Sequence, residues 1–186
     1  MGSGTAHPRE AQSAARSTSN STQPSLMWAT IRNLGIFQGL WFLLVLGGDA
    51  YAIFAIGWFL FHYVTYSEPL EKRLLLIYAV LGILMDSSLT ACGVYQFSNN
   101  AWPIPLWLLA LWLIFPTTLS HGLRWCWAGK LWILIASAFG AALTYVGGAA
   151  FGGLEFPFGE PVTVMILTAC WALYFGFIRV MTLQRS

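Results

Sequence analysis

Charge is what this chain has least of. Only 9% of its 186 residues are charged, too few to coat a soluble globule, while 58% are hydrophobic. Cysteine is scarce as well, with Cys92, Cys126 and Cys170 the only three. Their expected depths (an outer helix end, an inner loop, a mid-helix position) exclude mutual disulfides, so they read as ordinary small residues. Also missing are a phosphate loop, a dinucleotide fingerprint, a nucleophile elbow and a zinc signature, and no cofactor or metal is expected. The pairs Gly147-Gly148 and Gly152-Gly153 stand at a helix end and do not follow a strand.

Long apolar runs are what the chain has instead. A helix rising 1.5 Å per residue needs about 20 apolar residues to cross a hydrocarbon core of roughly 30 Å. Six such segments follow one another: Trp28 to Leu46, Ala50 to Tyr66, Leu74 to Gly93, Ile104 to Leu123, Leu131 to Ala150 and Val162 to Val180. The first two are short, and Gly47-Gly48-Asp49 between them has the chemistry of a helix stop followed by a helix start. The other breaks carry charge, Asn, Gly or Pro, and all are short, so neighbouring helices run antiparallel. The expected fold is an all-α membrane protein, an antiparallel bundle of six transmembrane helices over residues 26–186. Residues 1–25 are rich in Ser, Thr, Ala, Gly and Gln and are expected to form a disordered tail. Because the first apolar stretch starts near Met27 and leads straight into a second, it reads as a span, not a cleaved signal peptide.

Orientation follows from the basic residues. With the N-terminus inside, Arg9, Arg16, Arg32, Lys72, Arg73, Arg124, Lys130, Arg179 and Arg185 all fall on the cytoplasmic side. The outer loops then hold only Asp49, Glu155 and Glu160. Both termini are therefore expected to be cytoplasmic. The net charge of +2 reflects this polarised topology and no nucleic-acid footprint. Trp28, Trp125, Trp127 and Trp132 near the inner interface, with Trp102 and Trp107 near the outer one, form an aromatic belt. Trp41, Trp58, Trp112 and Trp171 fall deeper and read as packing and lipid contacts.

Asp86 is the most informative residue, because an Asp at the centre of a span costs roughly 2.5–3.5 kcal/mol on insertion scales. Gly82, Asp86 and Thr90 recur at helical spacing and make a small, polar face suited to a helix interface. Two readings of Asp86 remain open: a group on a proton or substrate path, or an interhelical fastener. Gln38 and Trp41 on the first span, and Thr144 and Tyr145 on the fifth, are expected at the same depth and are its expected partners. The fifth span also carries Ala136, Gly140, Thr144, Gly148 and Gly152 at every fourth position, expected to let another backbone pack closely. A second cluster, Asn33, His62 and His121, is expected near the cytoplasmic ends. There Thr117, Ser120, His121 and Arg124 share one face after Pro116, whose ring should bend the helix. Only Glu68 offers a third ligand to the two histidines, which argues against a metal there. The expected depths of Asp86 and His121 differ by about 16 Å, too far for direct contact. Spans two and six are expected to be lipid-facing or supporting helices. No inverted repeat is evident, since the sixth span has no acidic counterpart of Asp86.

Several short motifs occur together: Asn33-Leu34-Gly35-Ile36-Phe37-Gln38-Gly39-Leu40-Trp41, Asp86-Ser87-Ser88-Leu89, Pro105-Leu106-Trp107 through Leu111-Trp112, Thr118-Leu119-Ser120-His121, and Tyr145 with Gly148 and Gly152. In these the chain resembles the family of small bacterial membrane proteins called domain of unknown function 2878, over about Ile31 to Val180. The resemblance implies a multi-pass protein of a bacterial inner membrane, and it supplies no reaction, cofactor or catalytic residue. The long polar tail departs from the family's usual short start.

The expected site is a polar intramembrane pocket of Asn33, Gln38, Trp41, Asp86, Thr117, His121 and Tyr145, with Asp86 and His121 the candidate catalytic groups. The leading functional expectation is an envelope factor or enzyme acting on lipids. A small proton- or cation-coupled transporter using Asp86, and a structural membrane subunit, are the alternatives. Expected partners are membrane lipids and either a second copy of the chain or another membrane protein.

Overall fold

A computed structural model describes residue 28 and residues 30–65, 67–98, 103–119 and 122–183, so the expected tail lies outside the described residues. The architecture is all-α, with a helix over 30–47 (α1), a 3-10 turn at Gly48–Tyr51, and α2 at Ala52–Thr65. Then come α3 (Pro69–Ala91), α4 (Leu106–Ile114), α5 (Pro116–Leu119), α6 (Arg124–Ala128), α7 (Leu131–Ala150) and α8 (Glu160–Leu183). The helical stretches Thr30–Thr65, Pro69–Ala91, Leu131–Ala150 and Glu160–Leu183 are long and apolar enough to cross a membrane, while Leu106–Leu119 is apolar but shorter. With its backbone groups satisfied within helices and its surface apolar, the chain is an all-α membrane protein.

The 36-residue stretch Thr30–Thr65 is not one straight rod. Straight, it would run ~54 Å. Instead, Phe37 and Leu40 of α1 and Ala55 and Phe59 of α2 pack in one cluster with Ala110 and Ile114 of the much shorter α4. The chain turns at Gly48, whose φ of 65° is open to glycine without strain. Two contacts fix the direction of α1: Asn33 Nδ2 donates to the Thr117 carbonyl at 3.5 Å, and the Trp107 N–H donates to Asp49 Oδ1 at 2.9 Å. The start of α1 therefore lies at the α5 end, and its finish lies at the first turn of α4. Asp49 caps a helix as its side chain suggests, but the helix is α4, not the one that follows it in sequence.

Two helices are longer than their apolar cores. Pro69 and Pro161 each take a position in the first turn, where a missing N–H costs nothing, so α3 begins within the charged stretch and α8 begins at Glu160. The α4–α5 run behaves differently. Phe115 interrupts the helix ahead of Pro116, and its carbonyl accepts from Thr118 N at 3.0 Å and Thr118 Oγ1 at 2.7 Å. Pro116 through Leu119 are all buried. An irregular backbone at this depth is tolerated because other helices shield it from lipid.

The connections at the other end are ordered. Gln96–Phe97 (β1) pairs antiparallel with Leu154–Glu155 (β2), joining the loop after α3 to the loop after α7. Ser98 Oγ donates to the Gly152 carbonyl at 2.6 Å, and Thr163 Oγ1 of α8 donates to the Val94 carbonyl at 3.3 Å. Loop composition alone gives no sign of this small cap. One expectation about the helices is corrected here. Leu167, Trp171, Tyr174, Phe175 and Ile178 place α8 within the main core, packed along α7, so the last helix is not a lipid-facing support. Its aromatic residues, read from position alone as partly lipid-exposed, instead supply the large side chains that fill the centre.

Candidate functional site

Asp86 is fully buried in the C-terminal half of α3 and accepts hydrogen bonds from three other places in the fold. Tyr95 Oη donates to Oδ1 at 2.7 Å, Tyr145 Oη donates to Oδ1 at 2.8 Å, and Trp112 Nε1 donates to Oδ2 at 2.6 Å. Bonds this short to a carboxyl group are among the stronger ones available to a protein interior. They satisfy the desolvated oxygens that would otherwise cost several kcal/mol.

Local sequence explains how each donor arrives. Gly93 closes α3 with a φ of 71°, and Gly93 N and Val94 N return to the carbonyls of Thr90 and Leu89. That reversal lays Tyr95 back along its own helix onto Asp86. Trp112 of α4 reaches the carboxyl because Gly82 is one turn away, where a Cβ would overlap the indole ring. The expected small face of α3 is thus an interface, with an aromatic ring as the neighbouring surface. Beyond Trp112 the aromatics continue: Trp171 stacks on it at 5.3 Å, and Phe115 meets both edge-on at 5.7 and 5.3 Å.

On the far side of this wall is a cavity of about 720 Å³, within the size range of small-molecule sites. Phe37, Gln38, Trp41 and Val45 of α1, the α4 face that includes Trp107 and Trp112, and the α7 face from Ile133 to Gly148 form its sides. Phe97 and Leu154 of the small sheet line it at one end, and Leu123, Trp125 and Trp132 line it at the other. Most of its surface is carbon. Gln38, Ala136, Gly140 and Thr144 are exposed, so the cavity opens sideways between α1 and α7. The Nε1 of buried Trp171 lies beside the Tyr145 hydroxyl without a hydrogen bond of good geometry among the described residues.

Of the expected partners of Asp86, the structure brings only Tyr145. Gln38 and Trp41 line the cavity and make no bond to the carboxyl, and Thr144 Oγ1 turns back to the Ala141 carbonyl at 2.7 Å. All three line the cavity on faces that do not reach the carboxyl group. Tyr95 and Trp112 are the donors that spacing does not reveal. Trp112 sits on its own helix like any packing residue, and Tyr95 lies in a loop. A turn glycine followed closely by Tyr, as in Gly93-Val94-Tyr95, is the signal that could have found the second. Asp86 itself lies behind the cavity wall, not on it.

The small-residue stripe of α7 is also corrected. Among the described residues, no helix packs into it at Gly140. A Cβ at Gly140 would meet nothing within 4 Å, whereas one at Gly148 would press on the Leu154 side chain at 3.2 Å. Around Ala136, Gly140 and Thr144 the small side chains leave space that the cavity occupies.

Two members of the expected cytoplasmic cluster are described. Asn33 joins the α5 end through Thr117, although Thr117 Oγ1 itself donates to the Ile114 carbonyl at 2.7 Å. His62 is buried, with its Nδ1 3.3 Å from Ser67 Oγ at the close of α2. Ser120 and His121 lie outside the described residues. Among the described residues no three His, Cys, Asp or Glu side chains group as metal ligands.

Fold and site together define a class: helical membrane proteins with a laterally open apolar cavity braced by one buried carboxyl group. Over residues 30–177 the chain belongs to the family described as Protein of unknown function (DUF2878). No curated protein and no solved structure matches it.

Proposed function

We propose that this protein crosses a bacterial inner membrane six times with both termini cytoplasmic, and that it holds a long apolar chain drawn from the bilayer in its side-opening cavity. Such a protein is a lipid-handling factor of the envelope, or the binding half of a lipid-modifying enzyme. The cavity between α1 and α7 is the observation that carries this reading. It is apolar, it opens between two long apolar helical stretches, and its length follows α7 from Ile133 to Gly148.

Counting α1 and α2 as separate crossings, and α4–α5 as a short central one, gives six. Polarity supports the direction. Arg32, Lys72, Arg73, Arg124, Lys130 and Arg179 belong to helix ends on one side, where Arg179 Nη1 donates to the Gly129 carbonyl at 3.0 Å. Asp49, Glu155 and Glu160 gather at the other end, with the small sheet.

The buried state of Asp86 weighs against the ion-coupled alternative. A carrier group must meet its ion from an aqueous path, and Asp86 has 0% exposure and three donors around it. Its geometry is that of a fastener that positions Tyr145 and Trp112, two residues of the cavity wall.

Native mass spectrometry of the full chain released from membranes into mild detergent tests the proposal. One retained lipid per chain is expected, and Gly140→Trp, which projects a ring into the open groove, should release it. A wild-type protein that carries no lipid under conditions that keep it folded would overturn the reading.

A further inference from the structure

Resting on the cavity reading above, we infer that the bound chain carries an anionic, phosphate-bearing headgroup, and that this headgroup sits at the α6–α7 end of the cavity. The two ends of the cavity differ in chemistry. At one end Trp125 and Trp132 line the opening, and each is followed or preceded within two residues by a cation, Arg124 and Lys130, both exposed. Lys130 also immediately precedes the first turn of α7, where free backbone N–H groups favour an anion.

Arg32 brings a third cation to the same end. It is exposed, and two residues further on the Leu34 side chain touches the position of Gly122, next to the α6 start. Among the described residues the acids on this side, Glu68 and Glu71, belong to the start of α3, and no residue of α3 lines the cavity.

At the opposite end the polarity is reversed. Phe97 and Leu154 line the space there, and the nearby charges are acidic: Asp49, Glu155 and Glu160. An anionic headgroup is repelled there and attracted at the α6–α7 mouth. Exposed Trp125 and Trp132, amphipathic rings at an interface, suit the boundary between acyl chain and headgroup. A lipid phosphate therefore meets fixed positive charge at the depth where its tail would enter the cavity.

The same chemistry would serve a free phosphate, so the experiment separates the two sources. Full-length protein in detergent is titrated with phosphatidic acid, with phosphatidylcholine of identical acyl chains, and with inorganic phosphate alone, and bound species are read by native mass spectrometry. At least a tenfold preference for phosphatidic acid over phosphatidylcholine is expected, with no binding of inorganic phosphate. The variant Arg124→Gln/Lys130→Gln should lose that preference and still bind phosphatidylcholine, and Gly140→Leu should weaken both lipids. Equal binding of the two lipids, or a preference that survives the double variant, overturns the headgroup assignment and leaves the cavity reading standing. Failure of the wild type to bind either lipid removes the cavity reading as well. A dimer in which Gln38 of one copy crosslinks to Thr144 of another, without bound lipid, would give the groove to a second copy and overturn both. Binding of inorganic phosphate alone at the same concentrations would make the basic mouth a phosphate site with no lipid requirement.

Discussion

Trp112 donates its indole N–H to Asp86 Oδ2 at 2.6 Å while its ring covers Gly82, one helical turn earlier on the same helix. A charge-bearing residue and a missing side chain on α3 thus hold a single aromatic residue of α4. This pair anchors the wall between core and cavity, and several consequences can be measured.

Asp86→Asn keeps one oxygen and replaces the other with an NH2 group. If the oxygen continues to accept from Tyr95 and Tyr145, the amide faces the Trp112 N–H, donor against donor. A loss of about 1–3 kcal/mol is expected, read as a lower midpoint of thermal unfolding in detergent. Asp86→Leu, which strands all three donors, should cost more. A neutral Asp86→Asn would show that the triad contributes nothing to stability.

Gly82→Ala and Gly140→Ala make a contrasting pair. Both add one methyl group to a helix. At Gly82 it overlaps the Trp112 ring, and about 1–3 kcal/mol of destabilisation is expected from overpacking. At Gly140 it enters open space, and stability should hold or rise slightly, because Ala favours a helix by roughly 1 kcal/mol over Gly. Equal losses at both positions would mean that the α7 stripe is packed at Gly140 too.

Tyr145→Phe and Trp112→Phe should be coupled through Asp86. A double-mutant cycle on unfolding midpoints is expected to show non-additivity of about 0.5 kcal/mol or more, since the two donors share one carboxyl group. Strict additivity would argue that the two bonds act independently.

Asp49→Ala removes the side-chain acceptor for Trp107 N at the start of α4, with an expected cost of about 0.5–2 kcal/mol. Because Asp49 is exposed, the lower half of that range applies. Asp49→Asn retains an oxygen and should recover most of the loss, a rescue that a purely electrostatic role would not allow.

Two native cysteines report topology. Cys92 is exposed at the end of α3 and should react with a membrane-impermeant maleimide added to right-side-out vesicles. Cys126 of α6 is buried, and burial pushes its thiol above the ordinary value, so it should stay unlabelled until the protein is denatured. Labelling only in inverted vesicles would reverse the proposed orientation.

The apolar runs and the charge pattern determine by themselves that this is a helical membrane protein and where most helices lie, because lipid leaves the backbone few alternatives. Gly47-Gly48-Asp49 shows the turn, and the isolated acid at Asp86 shows where a buried polar contact must be. Helix rotation and pairing are decided only in three dimensions. Gln38 and Tyr145 look equally suited to Asp86 by depth, and only packing turns one toward the carboxyl group and leaves the other on the cavity wall. Likewise Ala136, Gly140 and Thr144 are the same small residues whether a helix packs on them or none does. Spacing along a chain sets a side chain's height and angle on its own helix, but a cavity is a relation between helices, and it exists only where α1, α4 and α7 stand apart.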